Sequence, residues 1–278
     1  MNILCLGGGR FLGPVVIDQL LRRGHGITVL NRGRHPVNYA GPVRHIRADR
    51  HEPLPWLGSF DVVIDTCAYR AEDIQSLFER VSFGFYLFVS TVAVYKKTDC
   101  FPLIEDVSPI GEWPLWGEYN RGKVACEKFL AQSGKAYASV RPTNILGSNN
   151  HIPREMFVYE RLVKGLPIIL PGNGEALVQF VFVDEVARLA VLLAEGKIRG
   201  CFNACGDEVV TLKDWVQKIS AIAGVRPHLQ FNPDTDGLAH RVDEFPFPNE
   251  NIICSNAKAK KAGMVFRNLC AGLKSIVP

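Results

Sequence analysis

Gly7-Gly8-Gly9-Arg10-Phe11-Leu12-Gly13 lies between an apolar run at residues 2–6 and a segment in which Val16, Ile17, Leu20 and Leu21 share one helical face. No other feature limits the fold of this chain as strongly. Glycine tolerates the positive φ of a tight turn and lets the backbone approach a pyrophosphate, which a helix N-terminus then stabilises. A glycine loop that follows a strand and opens a helix begins a dinucleotide-binding βαβ unit. The helix ends as the macrodipole and a left-handed cap favour, with Arg22 and Arg23 in the last turn and Gly24 after them.

The alternation continues. Residues 27–30, 43–47, 61–65, 85–90 and 138–142 read as strands, while Ile74, Leu77 and Phe78, and then 119–130, mark helices. Alternating strands and helices predict an α/β chain: a Rossmann doubly wound parallel sheet with a smaller C-terminal substrate-binding lobe. Residues 31–42, rich in Gly, Pro and Arg, are too irregular for a crossover helix. They are expected as an extended loop near the C-terminal edge of the sheet, where such folds bind ligands. Later, 154–165 and 211–224 look helical and 227–256 largely irregular. The expected division is a nucleotide-binding domain at 1–147, to which 180–205 returns, and a substrate-binding lobe at 148–278.

Composition removes several classes. A hydrophobic fraction of 47% with 22% charged residues supports a core and excludes wholesale disorder, collagen-like repeats and a coiled coil. The basic excess is four (32 against 28), too small by itself to indicate nucleic acid or membrane. No apolar stretch approaches about 18 residues, and no basic segment precedes the glycine loop, so neither a membrane span nor a signal peptide is expected. The eight cysteines are scattered, and Cys201-x-x-x-Cys205 has no second pair nearby. Reduced core thiols in a cytoplasmic protein are expected. His151 and His240 lack metal-ligand spacing, so no metal is assigned.

The end of the second strand selects the cofactor. A carboxylate there favours a free ribose 2′-hydroxyl, whereas an arginine accommodates a 2′-phosphate. This chain has Asn31-Arg32-Gly33-Arg34 and no acid at that point, which favours NADP, with NAD the alternative. Arg10 adds a guanidinium suited to bidentate phosphate contact. The plainer reading leaves Arg32 and Arg34 as solvated loop charges. Asp49 either accepts from the adenine amino group or caps a turn. The expected cofactor contacts are Gly7, Gly9, Arg10, Phe11, Leu12, Gly13, Asn31, Arg32, Arg34 and Asp49.

In Tyr119-Asn120-Arg121-Gly122-Lys123, and nowhere else in the chain, a tyrosine precedes a lysine by four residues. On a helix the two share a face. An ammonium beside a phenol stabilises the phenolate and lowers its pKa, which makes the tyrosine a usable acid or base.

With the glycine loop in front, Phe88-Val89-Ser90-Thr91 closing a strand and Tyr119/Lys123 following, the chain resembles the short-chain dehydrogenase/reductase superfamily in its extended or atypical branch. Arg141-Pro142-Thr143-Asn144-Ile145-Leu146-Gly147, Val183-Asp184-Glu185-Val186-Ala187 and Phe202-Asn203-Ala204-Cys205-Gly206-Asp207-Glu208 extend the resemblance over nearly the whole sequence. Arg10-Phe11-Leu12-Gly13, Asn31-Arg32-Gly33 and Phe245-Pro246-Phe247 look most like a bacterial branch related to chloroplast stem-loop RNA-binding proteins.

The resemblance implies a catalytic triad of Thr91, Tyr119 and Lys123. Thr91 is preferred to Ser90 because a tyrosine, Tyr95, follows it by four residues. The implied chemistry is hydride transfer at a carbon bearing oxygen. Tyr119 donates the proton, Lys123 positions the ribose and tunes Tyr119, and Thr91 hydrogen-bonds the substrate oxygen. Asn144 lies where the family approaches its substrate; Arg241 suits a substrate phosphate or is simply solvated. The family's dehydratases carry Asp-Glu after the threonine, whereas this chain has Val92-Ala93, which disfavours dehydration. Phe182 stands where the family often has histidine, and no role is carried onto it.

The expected function is NADPH-dependent reduction of a small-molecule carbonyl substrate such as a keto-sugar nucleotide. The alternative is an NAD-dependent nucleotide-sugar epimerase. From another class comes an RNA-binding or cofactor-sensing protein on the same fold, disfavoured because the basic residues are dispersed without interleaved aromatics. The resemblance also implies a homodimer through the Tyr119 helix and its neighbour.

Overall fold

A computed structural model describes residues 1–233 and 241–278; His240 lies outside the described residues. The chain runs β1 (Asn2–Leu6), α1 (Leu12–Arg22), β2 (Gly26–Asn31), β3 (Arg44–Arg47), β4 (Ser59–Asp65), α2 (Ala71–Phe78) and β5 (Ser82–Val89). It continues through α3 (Gly117–Gln132), β6 (Tyr137–Pro142), β7 (Asn144–Leu146), α4 (Arg154–Val163), β8 (Ile168–Pro171), β9 (Leu177–Val178) and β10 (Phe180–Phe182). The last elements are α5 (Val183–Gly196), β11 (Gly200–Ala204), β12 (Val210–Thr211), α6 (Leu212–Ala223), β13 (Leu229–Asn232), α7 (Ala257–Lys261) and α8 (Leu269–Leu273).

Seven strands form one parallel sheet in the order β11-β6-β5-β4-β1-β2-β3. The side-chain period of two explains its layers. Ile3 and Cys5 of β1 join a core with Val16, Ile17 and Leu20 of α1 and Val186, Ala190 and Leu193 of α5. Leu4 and Leu6 join the opposite core with Ile74 and Leu77 of α2 and Cys126 and Leu130 of α3. With both faces covered, the strands read as continuous apolar runs, which is why their periodicity was legible. The order reverses at β1, so the crevice beyond the carboxyl ends of β1 and β4 is the ligand position of such sheets. The β2–β3 connection contains no helix, as its composition predicts.

A second core lies beyond β6. Trp215 of α6 stacks on Phe180 at 5.2 Å, and Phe247 meets both rings edge-on. Phe245-Pro246-Phe247 is therefore packing material: both phenylalanines are buried among Leu146, Val158, Leu170 and Leu273. The segment expected to be irregular contains β13, paired in parallel with β8. Strands as short as β9 and β12, which pair antiparallel, carry no readable period. All eight cysteines are free, but only Cys5, Cys126, Cys205 and Cys254 are buried; Cys100 is exposed. Among the described residues no helix is long and apolar enough to cross a membrane, and no group of side chains has metal-ligand geometry.

Candidate active site

The glycine loop is shaped by close approach. Gly7 and Gly8 have φ of 102° and 82°, and a Cβ on Gly7 would meet Thr66 Oγ1 at 2.2 Å. A Cβ on Gly13 would lie 2.6 Å from the Gly8 backbone, so glycine alone lets α1 start against the loop. Phe11 precedes α1 at φ 47°, and Leu12 is buried in the α1 core, so Leu12 offers a ligand only its backbone. Asn31 is a strut. Its Nδ2 donates to Gly7 O at 2.9 Å, its Oδ1 accepts from Gly33 N at 2.8 Å, and His45 Nε2 lies 2.7 Å from the same oxygen. Tyr39 adds a second tie, its hydroxyl donating to Gly8 O at 3.0 Å.

The rim of this loop is cationic. Arg10 and Arg34 are exposed, and their side chains make no hydrogen bond or ion pair among the described residues. Arg32 faces Asp49 at 3.6 Å. Asp49 caps a turn, accepting from His51 N at 3.2 Å. That bond, with the charges of Arg32, His51 and Arg34 behind it, holds its carboxyl below the ordinary aspartate value. A cradle closed to Cβ atoms, with two unpaired guanidiniums beside it, fits the phosphates of a dinucleotide.

Thr91, at the end of β5, caps a short helical turn over Val92–Val94, its Oγ1 accepting from Ala93 N at 3.2 Å. Tyr119 stands in the first turn of α3 and is 41% exposed. Burial raises the phenol above the ordinary tyrosine value. A hydrogen bond with Thr91 opposes this, Tyr69 adds to the rise, and the Arg154 charge opposes it. Thr91 and Tyr119 are thus brought together. Ser90 turns the other way and donates to Glu127 Oε1 at 2.5 Å.

Lys123 shares with Tyr119 the side of α3 that faces Tyr69, as its spacing predicts, but its side chain points inward. Its side chain is buried, Nζ donates to Val89 O at 2.8 Å, and the ammonium lies 4.6 Å from the Phe88 ring and 4.8 Å from the Tyr69 ring. It has no ion pair among the described residues, and burial pulls its pKa down to about 8. Its charge is not among those acting on Tyr119. The expectation that this ammonium lowers the phenol's pKa is therefore overturned. Spacing places two residues on one face, but Lys123 turns inward to the β5 carbonyl and burial governs Tyr119.

Three supporting residues escaped sequence reasoning. Asn120, fully buried, donates to Ala93 O at 2.6 Å and Gly111 O at 2.9 Å and accepts from Trp113 N at 3.3 Å. It locks the start of α3 to the turn that holds Thr91. Tyr69 lies 6.1 Å from Tyr119, ring to ring, and over Lys123. Arg154, at the start of α4, is within electrostatic reach of the Tyr119 phenol. No sequence motif marks Tyr69 or Arg154, but Asn120 had a signal: a polar residue one position off the exposed face of α3.

Behind the site a buried polar network fixes β6 and α3. Arg141 Nε donates to Glu127 Oε1 at 3.0 Å, and its guanidinium covers the Tyr95 ring. Tyr95 in turn donates to Asn203 Oδ1 at 2.8 Å. Asn144 Nδ2 donates to Gln179 O at 3.3 Å, bridging β7 to the residue before β10. Arg241 is a surface residue paired with Asp243 at 2.8 Å and Glu244 at 3.6 Å. Among the described residues nothing around Tyr119 pairs with it.

Sheet order and the glycine cradle define a Rossmann-type fold. Residues 74–205 match the NAD dependent epimerase/dehydratase family, and the chain belongs to that family. It is 30% identical over 286 residues to the chloroplast stem-loop binding protein of 41 kDa b from Arabidopsis thaliana, covering 93% of this chain and 73% of that protein. It is 25% identical to UDP-glucuronic acid decarboxylase 1 from Danio rerio over 84% of this chain, spanning 63% of the decarboxylase. In fold it is similar to the Thermus thermophilus UDP-glucose 4-epimerase complex with NAD, with a TM-score of 0.76 over 100% of this chain and 98% of that one at 19% identity.

Proposed function

We propose that this protein is an NADP-dependent reductase acting on a keto-sugar nucleotide or a related carbonyl compound. The observation that carries the reading is the meeting of Tyr119 with Thr91 beyond β5, where the phenol, protonated at neutral pH as tyrosine ordinarily is, has its pKa raised further by desolvation. A protonated donor suits reduction, in which negative charge grows on the carbonyl oxygen. Epimerisation begins instead with removal of a hydroxyl proton, which a raised phenol pKa opposes.

In this reading Thr91 orients the substrate oxygen and Tyr119 delivers its proton as the C=O bond becomes C–OH. NADPH supplies the hydride when bound. Lys123, an ammonium below about pH 8, is assigned in this reading to the ribose hydroxyls. Arg10, Arg32 and Arg34 favour the additional phosphate of NADP. Val92 and Ala93 provide no acid or base for loss of water. Free thiols suit a reducing compartment, the cytoplasm in this proposal, and the α2–α3 face is the proposed dimer contact.

A second reading, NAD-dependent epimerisation of a nucleotide sugar, is favoured by the similarity in fold to the NAD-bound epimerase. Incubation with NADPH carrying deuterium at C4 separates the two. A reductase yields deuterated alcohol and consumes one cofactor per product. Stereoinverted product without net cofactor consumption would reject the reductase.

A further inference from the structure

Lys123 is a buried cation that no carboxylate pairs with. Among the described residues its ammonium makes one hydrogen bond, Nζ donating to Val89 O at 2.8 Å, and no ion pair. Asp65, whose charge favours the ammonium form, is committed elsewhere. Arg50 donates to its Oδ1 at 2.9 Å and its Oδ2 at 2.8 Å, and the Tyr86 hydroxyl donates to Oδ2 at 2.7 Å. What remains for the ammonium is two aromatic faces, Phe88 at 4.6 Å and Tyr69 at 4.8 Å. A ring attracts a cation over its face most strongly where water is excluded.

The two rings are not equivalent. Phe88 lies on β5, fully buried and fixed by the sheet. Tyr69, in the segment between β4 and α2, is 53% exposed and also meets Tyr119, with ring centroids 6.1 Å apart. Its backbone is fastened, N donating to Asp73 Oδ2 at 2.8 Å. Its carbonyl oxygen lies where a Cβ on Gly122 would come within 2.1 Å. Glycine there lets the segment approach α3 so closely that one ring reaches two side chains a helical turn apart.

We propose that Tyr69 is a positioning residue whose ring holds the Lys123 ammonium charged and in place while packing against Tyr119, so that cation and phenol keep a fixed relation. This role rests on the assignment of Lys123 to the cofactor's ribose. Loss of the ring removes a contact that only the charged amine makes, so the amine should lose its proton at lower pH. Besides burial, the groups acting on Lys123 are Cys126 on α3 itself, Asp65 at the end of β4, Cys67 just after it and Arg50 after β3. Burial pushes both thiols up to about 12. The Arg50–Asp65 pair overcomes its own burial, with the carboxyl held below the ordinary aspartate value and the guanidinium above its own. The Tyr69 and Tyr119 phenols are raised by burial. Of these groups Lys123 alone changes charge between about pH 6 and pH 9.

Acylation of Lys123 by acetic anhydride, followed by peptide mass spectrometry across that range without cofactor, reads its midpoint in the wild type, Tyr69→Phe and Tyr69→Leu. Tyr69→Phe keeps the ring and should titrate as the wild type does, whereas the Tyr69→Leu midpoint should fall by about one pH unit. NADPH affinity from fluorescence titration should follow: Tyr69→Leu about fivefold weaker than wild type at pH 8 and nearly equal at pH 6, where the amine is charged in both. A midpoint that stays or rises in a Tyr69→Leu protein with a wild-type urea midpoint overturns the role, as does an affinity deficit equal at the two pH values. Lys123→Met with wild-type NADPH affinity would instead reject the ribose assignment, and a lowered Tyr69→Leu midpoint would still show the ring's hold on the ammonium.

Discussion

Gly122→Ala sets two effects of opposite sign against each other. In an exposed helix interior, replacing glycine with alanine stabilises by about 1 kcal/mol. In α3, however, the new Cβ would lie 2.1 Å from the Tyr69 carbonyl oxygen and 3.3 Å from its carbon. The obstacle is backbone and cannot rotate away. Its loop is also fastened: Asp73 Oδ2 accepts from Tyr69 N at 2.8 Å and Arg70 N at 3.0 Å, while Arg50 donates to Asp73 O at 2.7 Å. Relief requires α3 and this loop to separate by about 1 Å, and overpacking of that kind costs about 1–3 kcal/mol. Set against the propensity gain, with the loop too well anchored to yield cheaply, the expected net loss is about 1–2 kcal/mol. Thermal unfolding followed by circular dichroism should show a midpoint lower by about 2–8 °C. The same shift moves the Tyr69 ring off Lys123, so NADPH affinity should fall in parallel. A midpoint equal to or above wild type would show that helix propensity wins and refute the close-approach argument.

Other perturbations test separate parts of the account. Arg32→Asp should move the ratio of NADPH to NADH affinity toward NADH by about tenfold or more, since it removes a charged phosphate contact; an unchanged ratio in a fluorescence titration would remove Arg32 from the phosphate site. Lys123 has a folded pKa of about 8 against its ordinary 10.5. Between these values the unfolded chain binds the extra proton, so this residue's contribution to stability rises with pH through that window, by about 3 kcal/mol in all. Urea midpoints should therefore climb between pH 8 and pH 10.5 in the wild type relative to Lys123→Met; parallel pH curves would contradict the burial of the ammonium. Asn120→Ala leaves Ala93 O, Gly111 O and Trp113 N without their partner and should cost about 2–4 kcal/mol while lowering turnover through displacement of Thr91. A stability loss with unchanged turnover would limit Asn120 to a structural role.

The central sheet was legible because strands covered on both faces are continuous apolar runs, and the glycine loop was legible because its neighbours supplied context. Predicted strands 61–65 and 138–142 lie within β4 and β6. In the second half the helices expected at 154–165 and 211–224 are α4 and α6, but the strands were not legible: they have two to four residues and find partners far along the chain, as β8 does in β13. Around the site, spacing located Tyr119 and Lys123 on one helix but could not fix the direction of a lysine side chain. That direction is set by Val89 O and the Phe88 and Tyr69 rings, two of them on β5. Asn31 was expected at the cofactor, yet its side chain is consumed in holding the glycine loop. Arg241 was offered as a substrate contact, and its carboxylate partners lie within its own loop, where sequence proximity decides pairing.

Tyr119→Phe tests the central claim most directly, because it removes one hydroxyl and keeps the ring. With a keto-sugar nucleotide that the wild type reduces, NADPH oxidation should fall about 10²- to 10⁴-fold while NADPH affinity stays within about twofold. Undiminished oxidation in the variant would contradict the assignment of Tyr119 as the proton donor.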